Sequence, residues 1–140
     1  SALYGHSLGG TFTHYAAFQS DLFENQPFQY YIIGSPAFWS PYFLESESNP
    51  PEYQTEYGYF DRNTSFNKTL YVCGGEQEDA DYASYYGEND STLEGITHLM
   101  ERLKADGVTT AECKIYADSN HYAYIPEMFQ TFFLRFYRRA

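Results

Sequence analysis

Three residue types that together can activate a hydroxyl occur in a useful order along this chain. A serine lies among glycines in Gly5-His6-Ser7-Leu8-Gly9-Gly10, a run of acids follows at Glu76, Glu78, Asp79 and Asp81, and a histidine stands in Asn120-His121. A serine hydroxyl is a weak nucleophile at neutral pH and needs a positioned base, which in turn gains from an orienting carboxylate. Gly-x-Ser-x-Gly is the pattern of a nucleophile elbow, where the serine rides a strained turn between a strand and a helix. A side chain two residues before or after that serine would run into neighbouring backbone, so both flanking positions favour glycine. The chemistry such a set performs is attack on a carbonyl carbon by Ser7, with a histidine moving the proton and the backbone N–H of Leu8 holding the oxyanion.

The elements that must carry these groups are legible in outline. Ala2-Leu3-Tyr4 is strand-like, and Thr11 to Gln19 spaces aromatics and alanines at helical intervals. Gln29 to Ile33 is dense in β-formers and stops at Gly34-Ser35-Pro36. A polar, acid-rich stretch from Glu45 to Lys68 has no clear period and reads as a surface excursion or lid-like insertion. Thr69 to Cys73 predicts a buried strand closed by Gly74-Gly75. Leu93, Ile96, Leu99, Met100 and Leu103 mark an amphipathic helix that Gly107 caps. Ala111 to Tyr116 predicts a further strand, and Glu127 to Arg139 a closing helix with Met128, Phe129, Phe132, Phe133, Phe136 and Tyr137 packed inward. Alternating strands and helices argue for an α/β fold, a mostly parallel sheet flanked by helices.

In such sheets the reactive groups come from loops at the carboxyl ends of strands, and the order Ser, acid, His fits Ser7, the acidic cluster and His121. His121 is the expected base because it follows a strand and precedes the terminal helix. His6 is expected to pack beside the nucleophile and touch substrate, while His14 and His98, both on predicted helices, read as structural or surface residues. Glu78 stands in Gly75-Glu76-Gln77-Glu78 and is the expected acid, with Glu76 and Asp79 as alternatives. Trp39 and Tyr122 are the expected substrate contacts.

Composition narrows the partners. The chain of 140 residues, with 43% hydrophobic and 21% aromatic content, can bury a core, and a formal charge of −11 repels phosphate backbones and anionic lipid. Nucleic acid is therefore an unexpected partner. No apolar run approaches the roughly 20 residues of a membrane-spanning helix. Arg135, Arg138 and Arg139 would complement the dipole of the closing helix. Cys73 and Cys113 read as two buried free thiols, with a disulfide as the alternative. Asn63, Asn67 and Asn89 each begin an Asn-x-Ser/Thr triplet, which leaves a secreted and a cytoplasmic location both open.

Taken in order, Gly5-His6-Ser7-Leu8-Gly9-Gly10, Gly34-Ser35-Pro36-Ala37-Phe38-Trp39, Gly75-Glu76-Gln77-Glu78 and Asn120-His121 resemble an esterase branch of the α/β-hydrolases. That branch includes siderophore esterases, S-formylglutathione hydrolases and some feruloyl esterases. The resemblance implies the α/β-hydrolase fold with Ser7 as nucleophile, His121 as general base and Glu78 as acid. It implies a small-molecule ester substrate and no metal or organic cofactor. The chain departs from the branch at Tyr122-Ala123-Tyr124, where bulk is expected to narrow the site. The elbow lies so near Ser1 that the chain is expected to be the C-terminal portion of a hydrolase domain, with N-terminal strands and a second oxyanion donor upstream, and to be weakly active by itself. Acyl transfer or thioester hydrolysis on the same residues, and a catalytically silent binding module, are the alternative readings.

Overall fold

Four runs of five to seven residues pair into one sheet, and each is too short to be stable except between neighbours. The computed structural model describes residues 1–25, 27–40 and 56–137. Strands β1 (Ala2–His6), β2 (Tyr30–Gly34), β3 (Thr69–Gly75) and β4 (Ala111–Tyr116) lie side by side in chain order, every pair parallel. A parallel arrangement brings the carboxyl ends of all four strands to one edge of the sheet. The loops that leave His6, Gly34, Gly75 and Tyr116 therefore meet.

Helices cover both faces. Between the strands run α1 (Leu8–Phe18), α2 (Tyr57–Arg62), α3 (Glu78–Asp81), α4 (Ala83–Tyr86) and α5 (Thr92–Ala105), and the chain continues after β4 into α6 (Ile125–Phe132) and a π-helical turn over Phe133–Tyr137. Side chains alternate between faces along each strand. Tyr31, Ile33, Leu70 and Val72 point to the face covered by Ala17 and Phe18 of α1 and by Ile96, Leu99 and Leu103 of α5. Ile32, Tyr71, Cys73 and Tyr116 face Tyr124, Met128 and Phe132 on the other side. Leu70 and Ile33 are wholly buried, so truncating either to alanine is expected to cost about 2–5 kcal/mol.

Helix α5 starts on a reciprocal cap, since the Ser91 hydroxyl accepts the Glu94 N–H at 3.1 Å while the Glu94 carboxylate accepts the Ser91 N–H at 3.2 Å. It ends as expected, with Gly107 at φ 79° and its N–H on the Lys104 carbonyl. No helix among the described residues is long and apolar enough to cross a membrane.

The structure corrects several local expectations. Gly74 and Gly75 continue β3 rather than closing it. Within the Glu45–Lys68 stretch, residues 56–68 are no surface excursion: they include α2, and Tyr59 and Phe66 pack on Phe18 in the core. The rest of that stretch lies outside the described residues, as do Arg138 and Arg139. Arg135 pairs with Glu112 at 2.6 Å. The closing helix begins at Ile125, where Pro126 fits the first turn, and Phe133 and Tyr137 stay half exposed instead of packing inward. Both thiols are free, Cys73 buried and Cys113 exposed. Cys113 is in register with Val72 and Cys73 with Lys114, so the two thiols project from opposite faces of the sheet and cannot bridge.

Candidate active site

Ser7 sits between the end of β1 and the start of α1, with φ 62° and ψ −119°, a conformation L-residues avoid. Serine is a favoured N-cap residue, yet the Ser7 side chain makes no capping hydrogen bond to α1. The turn is held by backbone: the Ser7 N–H donates to Gly34 O at 2.9 Å, and its carbonyl accepts from Thr11 N–H at 3.2 Å and Ala37 N–H at 3.3 Å. Gly5 is required because a Cβ there would lie 1.9 Å from Gly9 O. The expectation for the second flanking glycine fails, since a Cβ on Gly9 would meet nothing within 4 Å; the crowded partner is Gly10, where it would lie 2.5 Å from Gly34 O. The elbow is thus pressed against β2, and the tight contact falls one residue later than the motif suggests. Leu8, at the first turn of α1, has a backbone N–H with no carbonyl one turn earlier in the helix to accept it.

His121 follows β4 and its bend at Asp118, and Glu78 opens α3 just beyond β3. The structure brings them together: His121 Nδ1 lies 2.5 Å from Glu78 Oε1. The Glu78 carboxylate is completely buried, and its Oε2 accepts the Gly75 N–H at 2.7 Å and the Ser35 hydroxyl at 2.6 Å. As a carboxylate it can only accept, so the His121 proton resides on Nδ1 and Nε2 is the nitrogen left with a lone pair. Gly75 permits this approach, because a Cβ there would lie 2.1 Å from Asn120 O. The alternative acids are committed elsewhere. Glu76 accepts the Asp118 N–H, while Asp79 accepts the Ser91 hydroxyl and the Leu93 N–H at the start of α5.

Ser7 and His121 line a common cleft of about 150 Å³ with Trp39, Tyr82, Tyr85, Thr92 and Tyr122. No hydrogen bond joins the Ser7 hydroxyl to the imidazole among the described residues. Such contacts are often long before substrate binds. Trp39 and Tyr122, the expected substrate contacts, are among the residues that line this cleft. His6 does not line this cleft: its Nε2–H donates to the His121 carbonyl at 2.7 Å, and the two rings lie 4.4 Å apart. Burial and then the neighbouring His121 push the His6 imidazole toward the neutral form, against the opposing effects of that hydrogen bond and of Glu78. His14 is structural, buried and bonded to Glu56, and His98 is a surface residue paired with Asp90. Of the two bulky residues after His121, Tyr122 stands at the cleft, while Tyr124 is buried in the core and does not narrow it.

The hydrogen-bonding roles of two residues near the site were not foreseen. Ser35 reaches Glu78, and Tyr124 reaches Ser35 at 2.5 Å. A polar residue just past the carboxyl end of β2, a strand next to the elbow strand, is the signal that could have pointed to Ser35.

No protein-family model matches the chain, and no curated protein matches it. Solved structures do. Siderophore hydrolase EstA from Aspergillus nidulans matches with a TM-score of 0.61 at 24% identity over 91% of this chain and 44% of that one. Siderophore hydrolase EstB from the same organism matches with a TM-score of 0.64 at 19% identity, over 95% of this chain and 47% of that one. S-formylglutathione hydrolase FrmB from Staphylococcus aureus matches with a TM-score of 0.59 at 17% identity, over 90% and 46%. The chain spans a little under half the length of each. Its four parallel strands and flanking helices have the α/β-hydrolase fold that these structures share.

Proposed function

We propose that this chain hydrolyses carboxylic esters through an acyl-enzyme formed on Ser7. The Ser7 oxygen attacks the ester carbonyl carbon as His121 Nε2 takes its proton, Glu78 holds the Nδ1–H and stabilises the imidazolium, and the Leu8 N–H donates to the oxyanion. The imidazolium then gives its proton to the departing alkoxide oxygen as the C–O bond breaks. Water, deprotonated by the same nitrogen, attacks the acyl-serine, and the carboxylic acid leaves with Ser7 restored.

The observation that carries this reading is the His121 Nδ1 contact of 2.5 Å with a fully buried Glu78, beside a cleft that Ser7 also lines. A carboxylate buried and spent on orienting an imidazole is the arrangement that activates a nearby hydroxyl. The hydrolases with similar structures support the reaction class. The cleft of about 150 Å³ is on the order of a cavity that holds one benzene ring. With Trp39, Tyr82, Tyr85 and Tyr122 around it, that size supports a small ester with an aromatic acyl or leaving group.

A fluorophosphonate probe tests the proposal. Labelling of the full chain that disappears in Ser7→Ala supports it, and absence of labelling in both refutes it.

A further inference from the structure

The carboxylate of Glu78 is held by more than its histidine. Its Oε2 receives the Ser35 hydroxyl at 2.6 Å, and the Ser35 oxygen lies 2.5 Å from the Tyr124 hydroxyl. Both side chains are almost wholly buried, at 1% exposure each. With Glu78 ionised the direction of every proton follows. Ser35 has a single hydrogen and must spend it on the carboxylate, so the Tyr124 hydroxyl must donate to Ser35. Burial pushes the Tyr124 phenol far up, which keeps it a donor.

The surroundings hold this chain of hydrogen bonds in place. Ser35 has φ 43°, a left-handed value rare for a residue other than glycine, and its N–H is tied to Cys73 O at 2.7 Å. Strain of this kind persists only where neighbours over-determine the conformation, and it concentrates at functional sites. Tyr124 is stacked on Tyr116 with ring centroids 5.3 Å apart. Gly34 leaves room for the phenol, since a Cβ there would come within 3.3 Å of the Tyr124 oxygen.

We infer that Ser35 and Tyr124 are positioning residues: they fix Oε2 of Glu78 so that Oε1 stays aimed at His121 Nδ1. The inference rests on the reading of Ser7, His121 and Glu78 given above. Without the Ser35 hydroxyl the carboxylate keeps only the Gly75 N–H on that oxygen and can rotate, which weakens its hold on the imidazolium. Tyr124 acts one bond further out and therefore has the smaller effect.

The test is an NMR titration of the His121 ring in the full chain, in Ser35→Gly and in Tyr124→Phe, with circular dichroism to show that each is folded. Ser35→Gly removes the hydroxyl and accepts φ 43° without strain, and Tyr124→Phe preserves the ring should Ser35→Gly fail to fold. The expected result is a downward shift of the His121 midpoint by about 0.5 pH unit in Ser35→Gly, a factor of about 3 in the ionisation constant, and a smaller downward shift in Tyr124→Phe. An unchanged midpoint in folded variants, whatever happens to their melting temperatures, overturns the inference. So does an upward shift, which would mean that Ser35 drains charge from Glu78 instead of holding it in place. Fluorophosphonate labelling is scored separately. A shifted midpoint in a chain whose Ser7 never labels would sustain the positioning of Glu78 and refute the esterase reading.

Discussion

Replacing Glu56 by glutamine is expected to remove a pH-dependent clamp on the helix that carries Ser7. Glu56 is completely buried just ahead of α2, with Oε2 3.0 Å from His14 Nε2 on α1 and Oε1 2.5 Å from Arg102 Nε on α5. Burial by itself would raise this carboxyl. The hydrogen bond and charge of His14, and then the charge and hydrogen bond of Arg102, outweigh it and lower Glu56 from an ordinary 4.5 to about 2. A fall of that size corresponds to roughly 3 kcal/mol of folding free energy. The sign follows from the direction of the shift. A depressed carboxyl contributes its full stability above the unfolded value of 4.5 and loses it as the pH falls toward the folded value of about 2.

At pH 7, Glu56→Gln should therefore be less stable by roughly 3 kcal/mol, near the lower end of what removing one partner from a buried ion pair costs. Arg102 is partly exposed and can recover solvent, which places the loss there rather than higher. For a domain of this size the melting temperature should fall by roughly 10 °C. Urea unfolding followed by circular dichroism at pH 7, 4.5 and 3 measures the effect. The gap between parent and variant should hold from pH 7 to 4.5 and shrink by more than half at pH 3. A gap of equal size at pH 7 and pH 3, or no gap at pH 7, refutes the reasoning.

The elbow yields a contrast: Gly5→Ala, whose Cβ would lie 1.9 Å from Gly9 O, should abolish probe labelling and destabilise the chain, while Gly9→Ala should fold at least as stably as the parent in thermal melts. Ser7→Gly should relieve the φ of 62° and raise stability by about 1 kcal/mol as labelling is lost; a lower melting temperature would contradict the strain argument. Of the two thiols, Cys113 should react with a thiol reagent in the native chain, and Cys73, whose burial pushes its thiol well up, only after unfolding; two equally fast thiols would refute the face assignment.

The strands and the long helix were legible because their residues answer to the same demand in sequence and in space. Leu93, Ile96, Leu99 and Leu103 recur at helical spacing because one face of α5 meets the sheet, and Ala111 to Tyr116 was read with the bounds observed. Gly74 and Gly75 misled because glycine often ends a strand, whereas here it admits neighbours: Leu93 and Ile96 lie against Gly74, and the Asn120 carbonyl against Gly75. Residues 56–68 misled because Tyr59, Phe60 and Phe66 enter the core from a short helix and a loop, which leave no period to detect. The pairing of His121 with Glu78 rather than Glu76 or Asp79 lies beyond spacing alone. Three acids within four residues differ only in which one the turn after β3 directs inward, and burial decides it.

The same turns explain where the fold carries its strain. The non-glycine residues with positive φ among those described are Ser7, Ser35 and Asp118, and they follow the carboxyl ends of β1, β2 and β4. Gly75, the last residue of β3, has no positive φ and serves instead to admit the Asn120 carbonyl. In a parallel sheet these ends come together, so the strain converges on one rim instead of being spread through the molecule. An unstrained exit from β1 would place Ser7 in an ordinary N-cap conformation, with its hydroxyl bonded to the start of α1. The left-handed turn denies the helix that bond and leaves the oxygen in the cleft with His121. At Ser35 a left-handed turn instead accompanies a hydroxyl directed at the buried carboxylate. The two serines occupy equivalent places on adjacent strands and end in different states, one lining the cleft and one bonded to a buried carboxylate. Each state follows from what the neighbouring loop presents: His121 and the aromatic walls beside Ser7, and Glu78 with Tyr124 around Ser35.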